Sequence, residues 1–222
     1  MAVYPYGPVR PRIRFSRTEV RHILLAMAVL IFAFAIVLVP GGLATIGRDP
    51  SLLLGTAILA AVAVPTAFLL HELGHKVVAQ RYGLIAEFRA WPFGLLFALF
   101  TALLGFLFAA PGAVVIGGVA DHRSYGRISA AGPVVNLVIG GVFTFFFFLL
   151  LLAGFDLPIV GAVSLFSLIR IVAFVNLFLG VFNMLPIPPL DGSKVLRWDL
   201  RVYLLLLAPL VALFVVVLLQ SF

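Results

Sequence analysis

Apolar runs long enough to cross a bilayer take up most of this 222-residue chain and leave little room for anything else. A hydrocarbon core of about 30 Å needs about 20 apolar residues in a helix. Runs of that order occupy residues 22–39, 52–70, 128–153, about 159–184 and 200–219. Apolar residues make up 64% of the chain and charged residues 10%, far from the balance of soluble domains. The expected fold class is a mainly α-helical membrane protein with about five full transmembrane helices, a re-entrant segment and short membrane-associated β-strands. Residues 1–21, with five arginines and three prolines, read as a basic cytoplasmic tail, and 22–222 as a single transmembrane domain. The first run lacks a small-residue cleavage site and is read as a retained span.

The basic residues set the topology. Arg10–Arg21, Lys76–Arg89, Arg123–Arg127 and Lys194–Arg201 bracket 13 of the 15 Lys and Arg. The positive-inside rule puts all four groups on the cytoplasmic face. That arrangement holds only if the apolar stretch 94–108 enters and leaves by one face, and at about 15 residues it is short for a crossing. Short strands are expected at 84–93 and 113–116, on either side of it. The net charge of +7 is accounted for by these flanks, which form no aromatic-interleaved patch, so no nucleic acid partner is expected.

The second run continues into His71-Glu72-Leu73-Gly74-His75. On a helix, residues four apart share a face, so His71 and His75 can meet one metal ion. Glu72 lies beside them, where it can take a proton from a water activated by that metal. Pro65 is expected to kink this helix just before the pentad. The chain has no cysteine, so thiolate zinc sites and thiol catalysis are excluded and any metal depends on His, Asp or Glu. Catalytic zinc commonly has three protein ligands plus water, which leaves one to find. Asp191 follows a span in Asn183-Met184-Leu185-Pro186-Ile187-Pro188-Pro189-Leu190-Asp191-Gly192, on the face that the re-entrant topology shares with the pentad. Glu87 and Asp121 are possible third ligands without comparable context.

Taken together, H-E-x-x-H at the end of a span, Gly132-Pro133-x-x-Asn136 in a later one and N-x-x-P-x-x-P-x-D-G after another resemble the site-2 protease family of intramembrane zinc proteases. The resemblance runs from about residue 50 to 200, and Ser193 departs from it where many members have a second glycine. It implies His71, His75 and Asp191 as ligands of one Zn²⁺ per chain and Glu72 as catalytic base. It also implies Asn136 near the active site, steadying substrate or the developing oxyanion, although an amide bonding between helices would read the same way. No PDZ or CBS-like extension is seen, as in a minimal member. The implied activity is endopeptidase cleavage of transmembrane segments of other membrane proteins, in regulated intramembrane proteolysis. The expected setting is a multi-pass protein of a prokaryotic cell membrane, with the active site near the cytoplasmic side and lipid as its surroundings. An alternative is a metal transporter or channel using His71, His75 and Asp191 as a transit site. Transport has no need of Glu72 as an acid or base, so Glu72 separates the two readings.

Overall fold

The structure, a computed structural model, describes residues 13–161 and 163–220. Most of the basic tail, residues 1–12, therefore lies outside the described residues. Five helices among the described residues are long and apolar enough to cross a membrane: Arg17–Leu38, Ser51–Arg81, His122–Ala153, Leu165–Asn183 and Leu200–Leu219. Leu152, Leu205 and Leu219 on these helices are 84%, 73% and 69% exposed, as surface in contact with lipid would be. The run of four phenylalanines at 145–148 divides by helical phase: Phe145 faces outward while Phe147 is buried against neighbouring helices.

The first helix, α1 (Arg17–Leu38), starts five residues earlier than hydropathy alone suggests. Ser16 caps it by accepting the Glu19 N–H at 3.1 Å. After a short helix α2 (Gly42–Arg48), the second span runs through α3 (Ser51–Val64), a π-helical turn at Pro65–Leu69 and α4 (Leu70–Arg81). Where a kink is expected, at Pro65, the helix widens to this π turn, with the Leu70 N–H bonding back to Pro65 O.

Strand β1 (Ile85–Ala90) pairs antiparallel with β2 (Gly112–Gly117), in register from Ile85 opposite Gly117 to Ala90 opposite Gly112. Between them lies α5 (Pro92–Leu103), whose 12 residues span about 18 Å at 1.5 Å per residue, too short to cross. The Trp91 N–H donates to Pro111 O at 2.9 Å, so the excursion leaves and returns at one point. The shared origin of its two ends is as the charge pattern requires. The helix, however, stops at Leu103 and the rest of the stretch returns without regular structure.

Helix α6 (His122–Ala153) also begins earlier than expected. The polar stretch 121–127 is helical from His122, because the Asp121 side chain caps the Ser124 N–H at 2.8 Å. The Ser124 side chain and then its backbone N–H hold the Asp121 carboxyl below its usual range. A small hairpin, β3 (Pro158–Val160) and β4 (Val163–Ser164), leads into α7 (Leu165–Asn183), which Ser164 and Ser167 cap reciprocally. The segment carrying Asp191, read from sequence as a loop, forms the short helix α8 (Asp191–Trp198). Asp199 then caps α9 (Leu200–Leu219). Leu177, Tyr203, Leu206 and Leu210 pack α7 against α9, and Val195 brings α8 onto the same core. A second core of Met27, Leu30, Val64, Phe88 and Leu95 joins α1, α3, β1 and α5.

Candidate active site

Three helices that are far apart in sequence meet around the pentad. His71 and His75 lie one turn apart on α4, with ring centroids 4.7 Å apart and Nε2 atoms 3.0 Å apart. Asp191, the first residue of α8, brings Oδ2 to 3.3 Å from His71 Nε2 and 3.0 Å from His75 Nε2. All three side chains are buried, and among the described residues this is the group whose ligand atoms converge as a metal site requires, all within 4.8 Å.

Helix α6 sets the orientation of both rings. His75 Nδ1 is 2.7 Å from Ile128 O, and a carbonyl can only accept, so Nδ1 carries the proton. His71 Nδ1 is 2.6 Å from Asn136 Oδ1. The Asn136 amide nitrogen donates to Ala67 O at 2.9 Å and to Asn176 Oδ1 at 3.2 Å, so Oδ1 is the acceptor for His71. With Nδ1 carrying the proton, each neutral imidazole turns an Nε2 lone pair toward the Asp191 carboxylate oxygen. Such an arrangement is repulsive without a cation at its centre. Ligands at about 2.0–2.1 Å from a tetrahedral ion stand about 3.3 Å apart, close to the separations found here.

The backbone keeps that centre clear. A Cβ on Gly132 of α6 would lie 2.5 Å from the Nε2 atoms of both histidines, in the space an ion would occupy. Gly132, part of the Gly132-Pro133-x-x-Asn136 motif, thus faces the imidazoles. Gly192 serves the other side: its Cβ would lie 2.2 Å from Met184 O, so only glycine lets the proline-rich turn close over α8. Ser193, also buried, turns its hydroxyl to Leu190 O at 2.8 Å and leaves the site alone. Asp191 is itself buried against the two imidazoles. Its second oxygen, Oδ1, is 3.4 Å from Lys194 Nζ.

Glu72 lies on α4 beside the cluster, and its Oε2 accepts the Val114 N–H of β2 at 2.9 Å. Asn136 has no exposed surface, and its oxygen and nitrogen are both engaged within the protein. Its partner Asn176 on α7, which sequence reading passed over, holds it in turn and donates to Val172 O and Thr66 Oγ1. The available signal was an amide in the middle of an apolar span, a position where polar groups usually have a task. The other possible third ligands are engaged elsewhere: Glu87 pairs with Arg89 and Asp121 caps α6.

Membrane-length helices close two histidines and an aspartate into one buried centre, with a glutamate alongside, an arrangement of the kind a membrane metallopeptidase requires. Residues 158–202, from the β3 strand past Asp191 to the start of α9, match Peptidase family M50. The chain belongs to that family, and it is an integral multi-pass membrane protein. It is 35% identical over 206 residues to MJ0611 of Methanocaldococcus jannaschii, named provisionally as a zinc metalloprotease. That match covers 89% of this chain and 93% of the relative. It is also 34% identical over 158 residues to Rip3 of Mycobacterium tuberculosis, another provisionally named zinc metalloprotease, which is longer. There the match covers 69% of this chain and 34% of the relative. A third relative, the zinc metalloprotease MJ0392 of Methanocaldococcus jannaschii, is 35% identical over 133 residues, 58% of this chain and 30% of its own length. No solved structure matches the chain.

Proposed function

We propose that the protein is an intramembrane zinc endopeptidase that cuts transmembrane segments of other membrane proteins. The observation that carries this reading is the convergence of His71 Nε2, His75 Nε2 and Asp191 Oδ2, with Glu72 one residue from the first ligand. These residues would hold one Zn²⁺, which when bound polarises the scissile carbonyl and makes water a nucleophile near neutral pH. Glu72 accepts the proton of the attacking water and returns it to the leaving amine. Asn136 and the Ile128 carbonyl hold the imidazoles in the tautomer that presents Nε2 to the metal. We assign Asn136 this orienting role in place of a substrate contact, since no part of it is exposed.

A helical substrate hides its backbone in its own hydrogen bonds and must unwind locally before attack. In a membrane the freed groups need partners at once, and an open strand edge supplies them. The outer edge of β1 is already taken: Phe88 N–H by Glu19, Ala86 O by Lys76 and Gln80, Ala90 N–H by His22. The Val114 N–H points from β2 towards Glu72, so the outer edge of β2 faces the base. The unwound segment would pair along this edge beside the Val114 N–H, which Glu72 holds.

The direct test is cleavage of a fluorogenic transmembrane peptide with a central Gly-Pro helix break, using protein purified in detergent. Cleavage should stop with a zinc chelator and return with added zinc. Cleavage that persists at full rate in chelator would overturn the reading.

The active site opens toward the cytoplasmic face of a cell membrane, because the basic groups cluster with it. Since the natural chain lacks cysteine, single cysteines at positions 92, 110 and 122 report sidedness cleanly. All three should react with an impermeant thiol reagent only from the inside. Labelling of position 122 only from outside would contradict the proposed orientation.

A further inference from the structure

Beneath the proposed site lies an ion pair that the chemistry described so far does not use. Glu19 of α1 and Lys76 of α4 are both fully buried. Lys76 Nζ spends its three protons on Glu19 Oε1 and Oε2, each at 2.7 Å, and on Ala86 O at 2.9 Å. The Phe15 ring covers the same ammonium at 4.4 Å. Glu19 Oε1 also accepts the Phe88 N–H at 2.9 Å. A buried pair of this kind is a weak source of stability, because desolvation cancels much of its attraction and apolar replacements often fold as well. Its geometry suggests a different use.

Phe88 is the direct cross-strand partner of Val114, and the Val114 N–H binds Glu72. One line of contacts therefore runs across the hairpin: Glu19 carboxylate, Phe88 N–H, the Phe88–Val114 pair, Val114 N–H, Glu72 carboxylate. Lys76 closes the circuit, since it follows the ligand His75 on the same helix as Glu72 and binds both Glu19 and β1. We propose that Glu19, its buried charge neutralised by Lys76, is a positioning residue that fixes the β1–β2 hairpin against α4 through the Phe88 N–H, and so sets both the base and the strand edge that receives substrate. The inference rests on the reading of Glu72 as base and β2 as substrate edge. Mispositioning reacting groups by about 1 Å can cost about 100-fold in rate, so the link has leverage on turnover.

Two charge-free double variants of the full chain separate this role from plain stability. E19Q/K76M keeps a carbonyl that can accept the Phe88 N–H, and Gln80 still donates to Ala86 O. E19L/K76M has similar bulk but no acceptor. We expect both to retain zinc and thermal stability. E19Q/K76M should cleave the fluorogenic transmembrane peptide within a few-fold of wild type, while E19L/K76M loses about 10–100-fold in kcat. Hydrogen exchange should quicken at 85–90 and 112–117 in E19L/K76M alone, with α4 unchanged. Equal kcat and equal hairpin protection in the two variants would overturn the proposal. If E19L/K76M does not fold, hairpin exchange in E19Q/K76M as slow as wild type supports the proposal, and faster exchange overturns it. The exchange arm reads the hairpin even if the wild type cleaves nothing, an outcome that would count against the protease reading and leave the positioning link to be judged separately.

Discussion

Replacing Glu72 by glutamine should abolish cleavage of the transmembrane peptide while zinc content and melting temperature stay at wild-type values. The amide has nearly the shape of the carboxylate, and its oxygen can still accept the Val114 N–H that Glu72 Oε2 accepts now. It cannot take a proton from water. Loss of general acid–base assistance costs about 10²–10⁴ in rate, and more where nothing else can activate the water. Zinc should remain because Glu72 lies outside the His71, His75, Asp191 group. The measurement is single-turnover cleavage beside metal analysis on the same preparation. Cleavage by the variant at wild-type rate would end the protease reading and move the rival, metal transit through His71, His75 and Asp191, ahead of it.

The second large effect is on the metal. Wild-type protein should carry about one zinc per chain, and the His71→Ala, His75→Ala double variant none, since two of three protein ligands are gone. Asp191→Asn should bind more weakly rather than not at all, because a neutral amide is a poorer ligand than a carboxylate. Gly132→Ala tests the same centre without removing a donor. Its Cβ would stand 2.5 Å from both Nε2 atoms, so zinc should be lost although all three ligands remain. Elemental analysis decides each case, and full zinc retention in the double histidine variant would rule the site out.

Much of the architecture is legible in the chain because a membrane imposes simple rules on it. Length and hydropathy mark the five membrane-length helices, and the arginines and lysines require 94–108 to return to the face it left, as the Trp91–Pro111 hydrogen bond and the β1–β2 register allow. The pairing of His71 with His75 is a local property of helical spacing. Asp191 could be proposed because its motif is distinctive and its span ends on the same face.

Helix starts were read less well, since caps such as Ser16 and Asp121 extend helices into polar sequence where hydropathy falls silent. The remaining features needed the tertiary structure. No spacing rule connects Glu19 with Lys76, 57 residues away, or turns the Asn136 amide toward His71. Nor does sequence tell that Gly132 faces two imidazoles. Periodicity specifies which face of a helix a residue occupies, but not which helix that face will meet. In this protein the meeting of α1, α4, α6 and α8 decides which polar groups are partners. A polar group buried in a membrane must find its hydrogen bonds within the protein, so those partners follow from packing that the linear order of residues does not encode.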